Sequence, residues 1–76
     1  MNKNTLISTQ EIVKEYKIPY STVNYYTIIG LLQMVSRKKN IRFYNRQEVK
    51  KRLKIISELK DKGYPLHLIR KELIKT

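Results

Sequence analysis

The side chains with the most distinctive chemistry lie close together in an uncharged segment of an otherwise basic chain. Five of them fall within six positions: Ser21, Thr22, Asn24, Tyr25 and Tyr26. Hydroxyl and carboxamide groups both donate and accept hydrogen bonds, and tyrosine adds a flat apolar ring. No Lys or Arg occurs between Lys17 and Arg37. An uncharged hydrogen-bonding face in so basic a protein favours contact with base edges over a merely solvated surface.

A basic segment follows these residues. Residues 33–36 and 41–44 are short β-compatible stretches. They flank Arg37, Lys38, Lys39 and Asn40, and we interpret the whole as a hairpin with a basic tip, that is, a wing. Because the tip lacks the Asn-Gly pair of a tight turn, a longer loop also fits the sequence. The alternative for its cations is a simply solvated loop.

The composition favours a polyanionic partner. The 76 residues include 17 Lys and Arg against 6 Asp and Glu, which gives a formal net charge of +11. Such a charge on a small body attracts nucleic acid or anionic lipid, although a coding bias toward Lys, Ile, Asn and Tyr would raise it too. Cysteine and long apolar runs are absent from the sequence. We therefore expect a cytoplasmic, nucleoid-associated protein without disulfides, zinc fingers or membrane spans.

Catalytic chemistry finds little support in the sequence. His67 is the only histidine, the six acidic residues are scattered, and Gly30 and Gly63 are the only glycines. These residues provide neither a metal-ligand cluster nor a phosphate-cradling loop. A chain this short also buries a modest core rather than forming a deep cleft. We expect no enzymatic activity, no cofactor and no metal site.

Local signals predict two helices before the wing. Ser8 and Glu11 have the spacing of a capping box, so a first helix should cover about 9–16. A second helix should run over about 20–29 and stop at Gly30, the residue best able to adopt a left-handed cap. Two helices joined by so short a turn indicate a helix-turn-helix.

On a helical wheel the second helix has two distinct faces. The inward face carries Val23, Tyr26 and Thr27. The outward face carries Ser21, Asn24, Tyr25 and Ile28. We expect the outward face to meet the nucleic acid.

Two further helices are predicted after the wing. Asn45 and Glu48 have capping-box spacing, so a third helix should begin near Arg46 and close at Gly63. Pro65 opens a fourth helix. The apolar stripes of this pair are Val49, Leu53, Ile56, Leu59, Leu66, Ile69 and Leu73. The cations expected on the solvated sides of the third helix, with phosphate contact as the alternative, are Lys50, Lys51, Arg52 and Lys54.

The predicted fold class is mainly α, a winged helix-turn-helix of four helices with a small β-hairpin wing. A single domain over 1–76 would comprise a helix-turn-helix at about 9–30, the wing at about 33–44 and a helical pair at about 46–75. Five sequence blocks in this order resemble the N-terminal DNA-binding domain of the MerR family of bacterial transcription regulators. They are Thr22-Val23-Asn24-Tyr25-Tyr26, Gly30-Leu31-Leu32, Arg42-Phe43-Tyr44, Glu48-Val49, and Lys62-Gly63-Tyr64-Pro65-Leu66 with Ile69. The resemblance covers roughly residues 9–73.

The resemblance implies a set of DNA-binding positions. They are Ser21, Thr22, Asn24, Tyr25, Tyr26, Arg37, Lys38, Lys39, Arg42 and Tyr44. Asn24 can form two hydrogen bonds to adenine and is the expected specificity residue, while Tyr25 offers its ring to a thymine methyl. Tyr26 is expected to pack inward with its hydroxyl near the backbone, and Tyr44 to be structural.

Phosphates are the expected targets of the remaining positions. Ser21 and Thr22 can donate to phosphate, assisted by the amides at the start of the helix. Arg42 stands at the family's wing arginine, and with the three cations of the wing tip it should clamp the backbone.

The chain departs from the family pattern in ways that change the expected chemistry. Asn24 stands where the family usually has Arg, and Thr27 where it usually has an acidic residue. The family also implies binding to double-stranded DNA as a dimer, through a long helix followed by an effector region. Neither is recognised in this sequence, so we expect no small-molecule effector. Dimerisation would then come from another segment, from contacts on DNA, or from a region outside this chain.

Two alternative functions remain compatible with the sequence. The same fold serves excisionase-like, phage packaging or chromosome-organising proteins, which work as cooperative arrays along DNA. An RNA-associated basic protein is the second alternative, since six tyrosines could stack unpaired bases. A membrane-surface helix is less compatible, because it needs a broad exposed apolar face.

Overall fold

Four helices and three strands make up the part of the chain that the computed structural model describes, residues 5–75. The elements are β1 (Leu6–Ser8), α1 (Thr9–Tyr16), α2 (Tyr20–Ile28), β2 (Met34–Lys38), β3 (Ile41–Asn45), α3 (Arg46–Asp61) and α4 (Leu66–Lys75). These elements confirm the predicted fold class, four helices with a small β-hairpin wing. The predicted domain limits also include 1–4 and 76, which lie outside the described residues.

The capping box predicted for α1 is present in both directions. The Glu11 amide donates to Ser8 Oγ at 3.2 Å, and the Ser8 amide donates to Glu11 Oε1 at 2.9 Å. Two of the amides at the helix start are thereby satisfied. Lys17 ends α1 in the left-handed region, with φ of 55°. The predicted limits of α1 are confirmed.

The end of α2 also follows the prediction. Gly30 has φ of 89°, a backbone conformation that glycine adopts without strain. The Leu31 and Leu32 amides donate back to the Tyr26 carbonyl at 2.8 and 3.2 Å. These bonds satisfy a helix carbonyl that would otherwise lack a partner, and they bring two fully buried leucines into the core.

The sheet contains one more strand than the sequence predicted. Its strand order is β1-β3-β2, and both pairings are antiparallel. Ile7 of β1 lies opposite Tyr44 of β3, and both side chains are completely buried. A strand of three residues is too short to show an alternating pattern. β1 exists because it pairs with β3, not because of a local signal.

The wing turn is tighter than the sequence suggested. Lys39 and Asn40 have φ of 50° and 66°, so two residues in the left-handed region connect β2 to β3. This is the pattern of a type I′ turn, whose twist matches that of the strands it joins. Asn tolerates such a conformation better than most residues. β2 consequently continues two residues further toward the turn than predicted, whereas β3 begins as predicted and ends one residue later.

The predicted capping box of α3 forms in one direction. Asn45 Oδ1 accepts from the Glu48 amide at 2.9 Å, but the Glu48 carboxylate accepts from Arg52 Nε at 3.2 Å. The helix still begins at Arg46 as predicted. Gly63, with φ of 91°, follows the helix and allows the chain to turn toward α4.

One apolar core connects these elements except β2, whose residues are all exposed. Its buried side chains are Ile7, Ile12, Val23, Tyr26, Leu31, Leu32, Tyr44, Val49, Ile56, Ile69 and Leu73. The predicted stripes of α3 and α4 supply the last four, and Leu53, Leu59 and Leu66 pack against them partly buried. Within residues 5–75, none of the helices combines the length and apolarity needed to span a bilayer.

Candidate nucleic-acid interface

The outward side of α2 presents an uncharged surface to solvent. Tyr25 and Ile28 are 49% and 70% exposed, Ser21 is also exposed, and Asn24 is half-buried. We call these four residues the recognition face. The predicted division of α2 is confirmed, because Val23 and Tyr26 lie on the opposite side and are buried.

Two tyrosines of the predicted DNA-binding set belong to the core. Tyr26 is 6% exposed and Tyr44 is 0% exposed. The inward packing expected for Tyr26 and the structural position expected for Tyr44 are confirmed. Burial leaves neither ring available to a ligand of the size of DNA, so both are removed from the candidate interface.

Tyr44 joins the wing to α2 through a defined hydrogen bond. Its hydroxyl lies 2.8 Å from Thr27 Oγ1, and Thr27 Oγ1 donates to the Val23 carbonyl, also at 2.8 Å. A threonine hydroxyl has one proton, and here it is committed to the carbonyl. Tyr44 must therefore be the donor to Thr27. Thr27 thus donates to Val23 within α2 and accepts from Tyr44 of β3.

A second hydrogen bond connects the same two elements at the surface. Arg42 Nη1 donates to Asn24 Oδ1 at 2.7 Å, and both residues are half-buried. Arginine has no acceptor, so the oxygen of the carboxamide must be the atom that faces it. The sequence assigned these two residues separate roles, but the structure brings them together. We call Asn24 and Arg42 the bridging pair.

The other cations of the wing are open to solvent. Arg37 and Lys38 are exposed on β2, and Lys39 is exposed in the turn. Two ion pairs occur elsewhere, between Arg46 and Glu15 and between Arg52 and Glu48. The three wing cations make no ion pair with a carboxylate within the described residues.

The start of α2 offers less to a phosphate than the sequence suggested. Ser21 is exposed and Thr22 half-buried, so both hydroxyls lie near the surface. The Thr22 and Val23 amides, however, donate to the Pro19 carbonyl at 3.0 and 3.2 Å. Phosphate binding at this end would therefore depend on the hydroxyls and on the amides that precede Thr22.

Arg52 positions the far end of α2, a role that the sequence did not reveal. Its Nη1 lies 3.2 Å from the Leu31 carbonyl and 3.5 Å from the Gly30 carbonyl, and Glu48 holds the guanidinium. The prediction of a solvated side chain was wrong for Arg52, whose side chain is 21% exposed. Positive charge is favourable at a helix C-terminus. The guanidinium of Arg is planar and offers several donors in a fixed geometry, unlike the ammonium groups of the neighbouring lysines. An Arg among lysines was therefore the sequence signal available for this role.

The second ion pair fixes α3 against α1. Arg46 Nη1 donates to Glu15 Oε1 at 2.8 Å. The hydrogen bond that Arg46 donates to this carboxylate raises the pKa of the Arg46 guanidinium. The guanidinium is thus charged at every pH relevant to the folded protein. The described residues contain no group of three His, Cys, Asp or Glu side chains that could hold a metal ion.

The comparisons with known proteins bear on this arrangement. No curated protein and no solved structure gave a significant match. The family model described as MerR HTH family regulatory protein matches residues 7–75, which is nearly the whole chain. The match includes the helix-turn-helix, the wing and the helical pair. The chain therefore belongs to the MerR HTH family, whose shared domain is a DNA-binding domain of transcription regulators.

Proposed function

We propose that this protein is a sequence-specific, double-stranded DNA-binding transcription regulator, in which α2 enters the major groove and the wing lies on the phosphate backbone. One observation supports it most: the recognition face is uncharged and largely exposed, and the bridging pair joins it directly to a wing of exposed cations. Uncharged and charged surfaces thus lie side by side, as base edges and phosphates do in a duplex.

The dimensions of α2 suit a major groove. An α-helix with its side chains is about 10–12 Å across, and the groove is about 12 Å wide. Asn24 and Tyr25 lie near the middle of this helix, where they would reach base edges. Ser21 lies near its start, where it would donate to phosphate.

The wing would supply the sequence-independent part of the affinity. Arg37, Lys38 and Lys39 are exposed, and release of counterions on phosphate binding makes affinity fall with salt. If each protomer neutralises about four to six phosphates, the logarithm of the association constant should fall by about 4 to 5 per tenfold rise in salt.

A fluorescence anisotropy titration of a labelled duplex at several salt concentrations tests this function. We expect the steep salt dependence described above and stronger competition from duplex DNA than from single-stranded RNA of equal length. Preferential binding of the RNA would contradict the proposal and favour the RNA-associated alternative.

Footprinting would distinguish a regulator from an array-forming protein. Family membership supports binding to paired half-sites, and we expect protection limited to such a site. Cooperative protection that extends along the duplex would instead favour an excisionase-like, packaging or chromosome-organising role. A cytoplasmic, nucleoid-associated location follows from the proposed function.

A further inference from the structure

We propose that Asn24 and Arg42 act as one specificity-determining unit that reads guanine, with Asn24 as the positioning residue for the Arg42 guanidinium. The inference rests on the proposed function, since it concerns how the recognition face would meet base edges. It differs from the roles that the sequence suggested, which were adenine recognition for Asn24 and phosphate binding for Arg42.

Two hydrogen bonds hold Arg42 in place relative to α2. Arg42 and Tyr44 are two positions apart on β3, so their side chains lie on the same face of the strand. Asn24 and Thr27 lie about one helical turn apart on α2. The Tyr44 to Thr27 bond at 2.8 Å fixes the strand against the helix, and the Arg42 to Asn24 bond at 2.7 Å fixes the guanidinium beside the recognition face. Arg42 is therefore presented by a strand that is hydrogen-bonded to α2 and not by the tip of the wing.

The chemistry of the bridging pair determines what it can bind. Asn24 Oδ1 accepts from Arg42, so the carboxamide nitrogen with its two N–H groups points away from the guanidinium. The remaining N–H groups of Arg42 are also donors. The pair consequently offers a cluster of donors, with one of the two lone pairs of Oδ1 already in use.

Among the base edges of the major groove, guanine fits such a cluster best. Guanine presents two acceptors, N7 and O6, whereas adenine presents one acceptor and one donor. An adenine contact would use the second lone pair of Oδ1 and one N–H of the carboxamide, and the remaining donors of Arg42 would find no further acceptor on that base. We therefore expect a G·C pair at the position that the bridging pair contacts.

Arg37 provides a matched control in the same sheet. It lies directly opposite Arg42 in the pairing of β2 with β3, so the two side chains share one face. Arg37 is exposed and forms no side-chain hydrogen bond or ion pair within the described residues. It would thus contribute charge without contributing sequence preference.

Selection of bound duplexes from a random library, followed by titrations on the selected site and on single-pair variants, tests the inference. We expect wild-type protein to favour G·C over A·T at one position by about tenfold, in the range of a good bidentate contact. Asn24→Ala and Arg42→Ala should each lose most of that preference, and the double variant should lose no more than either single one.

The conservative variant separates positioning from charge. Arg42→Lys should keep the salt dependence of the wild type and still lose the preference, because an ammonium group lacks the planar fork. Arg37→Ala should lower the salt dependence and keep the preference. Circular dichroism of each variant confirms that it is folded before the titrations are compared.

The outcomes separate this inference from the proposed function. An A·T preference that Arg42→Ala leaves intact would overturn the inference while duplex binding itself stands. If each single variant loses only about threefold of the preference and the double variant loses the product, about tenfold, the two contacts are independent, and this would also overturn the inference. Failure of the wild-type protein to bind duplex DNA would overturn the proposed function and this inference with it.

Discussion

The helix α2 and the strand β3 meet at two side-chain hydrogen bonds that differ mainly in their surroundings. The bond between Thr27 and Tyr44 involves a tyrosine with no exposed surface, whereas the bond between Asn24 and Arg42 joins two half-buried residues. Both connect the same elements and have nearly the same length. The comparison shows how one junction can serve stability at one end and recognition at the other.

Burial explains the division. Water cannot replace the partner of a buried hydroxyl, so breaking that bond leaves an unsatisfied group in the core. At the surface, water competes for Asn24 and Arg42, and their bond adds little to folding. The same exposure leaves their other N–H groups available to a ligand.

Removing the buried ring of Tyr44 should have the largest effect, and it tests whether the buried end of the junction stabilises the fold. Tyr44→Ala should lower the free energy of unfolding by about 3 to 5 kcal/mol, because it leaves a large cavity in a small core. Urea denaturation followed by circular dichroism measures this. Tyr25→Ala is the matched control, since its ring is half exposed, and it should change stability by less than about 0.5 kcal/mol. Equal losses in the two variants would contradict the division.

A second variant tests whether the far end of α2 is also held in place. Arg52→Ala should cost about 1 to 2 kcal/mol of unfolding free energy, since the carbonyls of Gly30 and Leu31 lose a charged donor. The adjacent exposed cation gives the control, and Lys51→Ala should stay within about 0.5 kcal/mol. A loss no larger for Arg52→Ala than for Lys51→Ala would show that the bonds to α2 do not stabilise it.

The hydroxyl of Tyr44 can be separated from its ring. Tyr44→Phe removes the donor to Thr27 and keeps the packing, so stability should fall by about 0.5 to 1.5 kcal/mol. A thermal melt measures the change. No loss at all would mean that Thr27 is satisfied by Val23 alone and that the ring fixes the wing without help from the hydroxyl.

The smallest effect is expected at the bridging pair. Asn24→Ala should change the free energy of unfolding by less than about 0.5 kcal/mol, because the contact it removes is partly solvated. The same denaturation experiment compares it with Tyr44→Phe. A loss larger than that of Tyr44→Phe would reverse the assignment of the two bonds.

Features set by neighbouring residues could be predicted from the sequence. The caps at Ser8 and Asn45 and the stop at Gly30 depend on groups within a few residues, and the structure has all three. The stripes of α3 and α4 were equally visible, since helical periodicity is local. The strand β1 and the contact of Arg52 with the turn after α2 depend on partners far along the chain, and no local pattern identified those partners.

The candidate site divides in the same way. The helical wheel separated Tyr25 from Tyr26, because adjacent helical residues point in different directions. The contact between Asn24 and Arg42 joins residues 18 positions apart, and it depends on the register of β3 beside α2. From the sequence alone, Asn24 and Arg42 were each given a separate role. Only their positions in the fold show that they contact each other.

The central claim is that the outward face of α2 meets duplex DNA, and a pair of isoleucine variants tests it most directly. Ile28 and Ile74 are 70% and 64% exposed near the C-terminal ends of α2 and α4. Replacing either isoleucine by Glu lowers the net charge by the same amount, so the long-range attraction of the protein to DNA weakens equally in the two variants. In a duplex titration, we expect Ile28→Glu to weaken binding at least about tenfold through repulsion in the groove and Ile74→Glu to weaken it less than about threefold. Equal losses would contradict the claim.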